Sequence, residues 1–173
     1  TMLSSIELAK RLKMPILNMH LHGGVHFKLP DRKVYLFEQY HARYLASLRR
    51  LRDMCENAIG DHPIHICVEN CDGFMPHEEE GIEMLLRSDC FGLTLDIGHS
   101  HCAADKDVAF FKRYRDRLLH MHIHDANEKT CHLPFGDGTL AIPYAMQTAQ
   151  ERQCRAVLEV KNIEGLRKSV QYL

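Results

Sequence analysis

Four apolar runs in this chain finish on side chains able to ligate a metal or carry a proton. They are PIHICVEN, FGLTLDIGHSH, LLHMHIHD and RAVLEVKN, and the residues concerned are Glu69, Asp96, His99, His122, His124 and Glu159. A fifth run, PILNMHLHGG, adds His20 and His22. Carboxylates mixed with imidazoles suit divalent-cation ligation and general acid–base work. One such ending is ordinary. A series at the ends of successive buried-looking strands points to a shared site at the carboxyl rim of a barrel.

Side chains alternate across a strand, so His65, Cys67 and Glu69 share a face, as do Thr94 with Asp96, and Val157 with Glu159. His120, His122 and His124 form another such set. The opposite faces carry Ile64, Ile66, Val68, Leu93, Leu95, Met121, Ile123 and Leu158, as helices packed outside the sheet require. Burying several carboxylates is expensive unless a cation compensates. A divalent ion held by Glu69, Asp96, His122 and Glu159 removes that cost. Three carboxylates with one imidazole suit Mn²⁺, Mg²⁺ or Co²⁺, and the histidine keeps Zn²⁺ available. Glu69 and Glu159 are then the candidate catalytic pair: one takes a proton from carbon beside a polarised carbonyl or hydroxyl, the other returns it. The same ligands could direct a metal-bound water at a phosphodiester, and the residues by themselves leave both reactions open. Plainer roles exist for each group. Asp96 could cap the following GHSH turn, Glu159 could pair with Lys161 at an edge, and His65 and His120 read as packed histidines.

These residues need elements to position them. The sequence predicts a helix over 5–13, a strand over 16–20 broken by Gly23 and Gly24, and a loop through Pro30. Leu36, Tyr40, Tyr44, Leu48, Leu51 and Cys55 recur at helical spacing, which predicts one amphipathic helix over 36–58 stopped near Gly60. Strands follow at 64–68, 91–96, 118–124 and 155–160. Helices are expected over 78–88, 105–113 and 143–152, with a short one at the end. The segment 127–143, with Pro134, Gly136, Asp137 and Gly138, reads as a loop over the site. Strand alternating with helix implies right-handed βαβ units and a parallel sheet. A five-stranded flavodoxin-like sheet and part of a barrel both accommodate this order, because a complete barrel takes ~250 residues.

At 173 residues the chain is expected to be one domain, residues 1–173. A formal charge of −1 gives no general pull toward nucleic acid or acidic membrane. No apolar stretch approaches the ~20 residues of a membrane helix, and TMLSSIELAKRL is too polar for a secretory leader. Seven scattered cysteines do not read as a disulfide framework, so reduced thiols and a cytoplasmic location are expected. The 13 histidines gather at strand ends and not in a tract, which points to chemistry and not to a tag.

The ordered set of endings resembles the xylose isomerase-like TIM barrel superfamily, which includes sugar isomerases, ketose epimerases, inosose dehydratases and type IV apurinic endonucleases. VEN is similar to the strand carrying a metal glutamate (Glu69), LDIGHSH to Asp-x-x-His (Asp96, His99), and HIHD to a histidine three before an aspartate (His122, Asp125). HLPFGDG, from His132 to Gly138, resembles the family's loop, VLEVK its closing glutamate (Glu159), and MHLHGG a strand whose histidine is His20 or His22. The resemblance implies an α/β TIM-barrel type parallel sheet that is partial here, with five to six of eight βα units, strands three to seven, and a shortened N-terminus. It also implies a metal-dependent isomerase or epimerase of a small sugar or polyol, with His22, His99, His101, His124 and His132 as candidate substrate-binding residues. A homo-oligomer covering the open barrel edges is expected. Thr130 stands where the endonucleases carry an aspartate, which disfavours a three-metal nuclease, and an inactive shortened family member is the remaining alternative.

Overall fold

The computed structural model describes residues 1–173. Its helices are α1 (Met2–Leu12), α2 (Leu36–Gln39), α3 (His41–Ile59), α4 (Pro76–Leu85), α5 (Ile97–Cys102), α6 (Val108–Arg113), α7 (Ile142–Glu151) and α8 (Ile163–Tyr172). Its strands are β1 (Ile16–His20), β2 (His26–Lys28), β3 (Lys33–Tyr35), β4 (His65–Glu69), β5 (Phe91–Asp96), β6 (Leu118–Ile123) and β7 (Arg155–Leu158). Five strands form one parallel sheet in the order β1-β4-β5-β6-β7, an α/β fold of the TIM-barrel type with part of the barrel present. No helix is long and apolar enough to cross a membrane.

By internal contacts the chain divides into two compact units, residues 1–68 with 75–92, and residues 69–74 with 93–173. In the first, α1 and α4 both pack on α3. The α3–α4 contact is close because Gly81 faces the Tyr44 hydroxyl and Leu48 without a Cβ between them. Pro76 opens α4, and Glu78 Oε2 accepts from the Met75 N–H at 2.8 Å, which satisfies a free donor of the first turn.

In the second unit β5–β6 and β6–β7 pair in parallel, with Asp96 level with His122 and His122 level with Val157. Ile123, Leu93 and Met121 are buried on the outward face, as the alternation requires. Asp125, buried just beyond β6, organises the loop that follows. Its Oδ1 accepts from the N–H groups of Ala126 and Leu140 at 2.9 and 3.0 Å, and its Oδ2 from those of Gly136 and Gly138 at 2.9 Å each. The segment between β6 and α7 is the loop expected from its turn residues, and this carboxylate ties it together beside the main-chain pair of Asp125 with Leu133.

Several boundaries differ from expectation. The helix predicted over 36–58 breaks at Tyr40, whose φ of −115° and ψ of 40° leave the helical region. The break brings the Phe37 and Tyr44 rings to a stacked 4.6 Å, where seven residues of unbroken helix would set them about 10 Å apart along the axis. The stretch read as loop through Pro30 contains β2, which pairs antiparallel with β3 over three residues, too few to leave a periodic signal. The helix expected over 105–113 begins at Val108, after a separate α5. Ala104 and Asp105 lie between them with φ of 57° and 56°, left-handed backbone that a helix cannot continue through. Finally, the fold sets the side chains of Cys102 and Cys131 against each other, with Cα atoms 6.9 Å apart, a pairing the sequence reading did not foresee. One sits at the end of α5 and the other in the loop after β6. Their 29-residue separation gives no hint of the pairing until the fold joins those segments.

Candidate metal centre

Every residue of the predicted metal set lies in the second unit. One ligand atom each from Glu69, Asp96, His122 and Glu159 falls within 4.8 Å of the others. Three parallel strands and the residue after β7 deliver them, because each group ends or follows a strand at the same edge of the sheet. Glu69 and Asp96 are 3% and 0% exposed, so their charges are held out of water. His122 Nδ1 lies 2.6 Å from Glu159 Oε2, 3.1 Å from Glu69 Oε1 and 3.9 Å from Asp96 Oδ2. Burial works to lower the His122 pKa, but the Glu69 hydrogen bond and the charges of Glu69, Glu159 and Asp96 carry it above its ordinary value. A half-buried imidazole serving three carboxylates leaves excess negative charge at the cluster. This donor set fits a divalent cation that would take the place of the imidazole proton.

Asp96 does what the sequence allowed it to do either way. Its Oδ1 caps α5 by accepting the His99 N–H at 2.7 Å, and its carboxylate also faces the cluster. The buried Asn70, to which sequence reasoning assigned no role, fixes the Asp96 backbone on both sides. Asn70 Oδ1 accepts the Asp96 N–H at 2.8 Å and Asn70 Nδ2 donates to the Asp96 carbonyl at 3.0 Å. The signal available in the sequence was a polar residue directly after an apolar strand, too common to single out alone.

The histidines divide. His99, His124 and His132 form a second group of possible ligands within 4.8 Å of one another. His99 Nδ1 lies 3.2 Å from the Asn70 carbonyl, and His132 Nδ1 lies 3.2 Å from the Glu159 carbonyl. Carbonyls only accept, so both Nδ1 atoms carry the proton, and the two Nε2 lone pairs meet at 3.2 Å. The facing pair has room for a donor to both. Burial foremost, with His124 and His99 nearby, pushes the His132 pKa down, which disfavours a proton there. His124 is fully buried, with Nε2 2.9 Å from Asp96 Oδ1 and the His132 N–H donating to its Nδ1 at 2.8 Å. Burial works to lower its pKa, but the Asp96 hydrogen bond and charge, with the Asp125 carbonyl and the Glu159 charge, carry it above its ordinary value. The His132 amide proton cannot be shed, however, so it keeps Nδ1 an acceptor. The Asp125 carbonyl, 3.0 Å from Nδ1, competes with that donor for the same nitrogen. His120, behind the cluster on β6, is buried beside Thr94 and its pKa falls to about 4, with burial the main cause and His122 the next.

His101 and His22 stand elsewhere. His101 lines a recess of about 420 Å³ with Asn127, Glu128, Lys129 and Thr139. His22 belongs to the first unit, where its Nδ1 accepts the Gly24 N–H at 3.1 Å and it borders a recess of about 490 Å³ with Phe37 and Tyr40.

Comparison with known proteins bears on the fold. A solved structure described as a D-tagatose 3-epimerase-like protein superposes with a TM-score of 0.73 at 21% identity, covering 98% of this chain and 64% of the other. The 3-keto-D-glucoside 4-epimerase YcjR from E. coli gives 0.69 at 15% identity, covering 99% and 68%. The IOLI protein with a bound zinc atom gives 0.65 at 14% identity, covering 99% and 63%. The chain therefore spans about two thirds of the length of these structures. At such identities they speak for the fold alone. No curated protein sequence matches at a significant level. The family described as xylose isomerase-like TIM barrel matches residues 1–173, end to end. With that match, a parallel sheet of the same type and the carboxylate–histidine cluster at its strand ends, the chain belongs to the xylose isomerase-like TIM barrel family.

Proposed function

We propose that this chain carries a metal-dependent sugar isomerase or epimerase site. A divalent ion, Mn²⁺, Mg²⁺, Co²⁺ or Zn²⁺, would be held by Glu69, Asp96, His122 and Glu159. The observation that carries the reading is the approach of all four ligand atoms to within 4.8 Å, with one glutamate ending β4 and the other following β7. The bound ion would polarise a carbonyl or hydroxyl of the substrate. Glu159, half-buried and the more accessible of the two, removes a proton from the adjacent carbon, and Glu69 delivers one from its own side. His99 and His132 turn their Nε2 atoms to a common point and are suited to gripping substrate hydroxyls. Small sugars and polyols present neighbouring oxygens of that kind, and the relatives named as epimerases and the zinc-bound relative lend support. The strands at the sheet margins, β1 and β7, are where a second copy would add.

The facing nitrogens of His99 and His132 favour one second reading, phosphodiester hydrolysis with a further ion between them. Against it, Arg115 and Arg152 lie beside Asp116 at 3.7 and 3.5 Å, so these cations make no bare basic groove. The test is one experiment with two arms. Chelator-stripped protein is recharged with each ion and incubated in D₂O with a panel of ketoses and polyols, and separately with an abasic duplex. Deuterium appearing at a substrate carbon supports the isomerase reading. Duplex cleavage without any deuterium uptake would replace it with the hydrolase.

A further inference from the structure

We propose that His124 is a positioning residue: it holds Asp96 through one tautomer, and the loop after β6 sets that tautomer. The inference rests on the metal reading above and goes beyond it, because His124 is not one of the four residues of that reading. Both of its nitrogens are engaged. Nδ1 has two neighbours, the main-chain N–H of His132 at 2.8 Å and the Asp125 carbonyl at 3.0 Å; the shorter contact is to a group that can only donate, and it leaves the proton on Nε2. Nε2 then donates to Asp96, 2.9 Å from Oδ1 and 3.1 Å from Oδ2. The ring is fully buried, so water cannot substitute for either contact.

Two further features make the arrangement specific. Gly98 lies over the ring, and a Cβ there would collide with all three of Cε1, Nδ1 and Nε2, so the first turn of α5 can pass only as glycine. His132 stands at φ 59°, in the left-handed region that non-glycine residues seldom adopt. That backbone twist is what turns its N–H toward His124, and the Asp125 carboxylate secures the loop that imposes it. The consequence is a coupling. When the loop is closed, Asp96 is aimed; when the loop lifts, Nδ1 loses its donor, the imidazole is free to change tautomer, and Asp96 loses its guide. Groups that orient a ligand in this way are typically worth 10- to 100-fold in metal affinity.

The test uses Co²⁺, whose visible absorption reports the geometry of its ligands without any turnover. Wild-type protein, His124→Phe and His124→Gln are titrated with Co²⁺. His124→Phe keeps the ring volume and loses the donor. It is expected to bind about 10- to 100-fold more weakly with an altered spectrum, and His124→Gln, which keeps an N–H, to recover part of both. A His124→Phe protein with the wild-type spectrum and affinity overturns the proposal while leaving the metal reading intact. A wild-type protein that takes up no Co²⁺ overturns both. Should the variants fail to fold, the ¹⁵N shifts of His124 in the wild type decide: a proton on Nε2 supports the proposal, and a proton on Nδ1 ends it.

Discussion

Replacing Asp125 by asparagine changes one atom for another of nearly the same size, yet it should open the loop between β6 and α7. The carboxylate accepts four main-chain N–H bonds of 2.9 to 3.0 Å, two at each oxygen, and the residue is 2% exposed. An asparagine offers one acceptor oxygen. Its NH₂ would face two N–H donors, so whichever way the amide turns, one pair is lost. Hydrogen bonds to a charged group contribute about 1.5–3 kcal/mol each, which puts two of them at about 3–6 kcal/mol. The lower figure is the better guide, because Gly136 is exposed and Gly138 half-buried, and both can be hydrated once the loop lifts. A loss of about 3 kcal/mol corresponds to roughly a hundredfold drop in protection. Native-state hydrogen exchange at Ala126, Gly136, Gly138 and Leu140 reads it directly. If the four amides of Asp125→Asn exchange within threefold of wild type, the carboxylate is not what holds the loop.

Three other outcomes follow from the same structure. His120 has a pKa of about 4 against 6.5 in the unfolded chain, so the folded state binds fewer protons; its contribution is complete above pH 6.5 and drains away as pH falls toward 4. Denaturant melts of wild type and His120→Phe at pH 7.5 and 5 should show wild type losing about 2 kcal/mol more than the variant. Gly81→Ala gains helix propensity but sets a methyl 2.5 Å from the Tyr44 hydroxyl and 2.6 Å from Leu48 Cδ1, so α3 and α4 must part. We expect a net destabilisation of about 1–2 kcal/mol, seen as a Tm lowered by several degrees. Chelator-treated protein given Mn²⁺ or Zn²⁺ at a hundred times its Kd should be stabilised by about 2.7 kcal/mol, and Asp96→Asn or Glu159→Gln should abolish most of that gain in a thermal shift.

The strand ends were legible because two rules agree there: period-two alternation put polar groups on one face, and each apolar run closed on a residue able to ligate or carry a proton. That was enough to name Glu69, Asp96, His122 and Glu159, whose ligand atoms the fold brings together. What stayed hidden is whatever depends on segments meeting in space. Asn70 acts on Asp96 from a neighbouring strand, Cys102 finds Cys131 across 29 residues, and Asp125 reaches amides up to Leu140. His101 shows the limit of local spacing. It stands two residues from His99 in the sequence, and α5 turns it to a different recess, because residues two apart on a helix do not share a face.

Asn70 has one more consequence. With its amide oxygen on the Asp96 N–H and its amide nitrogen on the Asp96 carbonyl, the side chain imitates the hydrogen-bonding edge of an adjacent strand at the point where the ladder ends. The backbone at the lip of the sheet is thereby tied down one residue past the ladder. Ions of different radius could be exchanged at such a lip with the scaffold standing still, leaving only the carboxylate torsions to adjust.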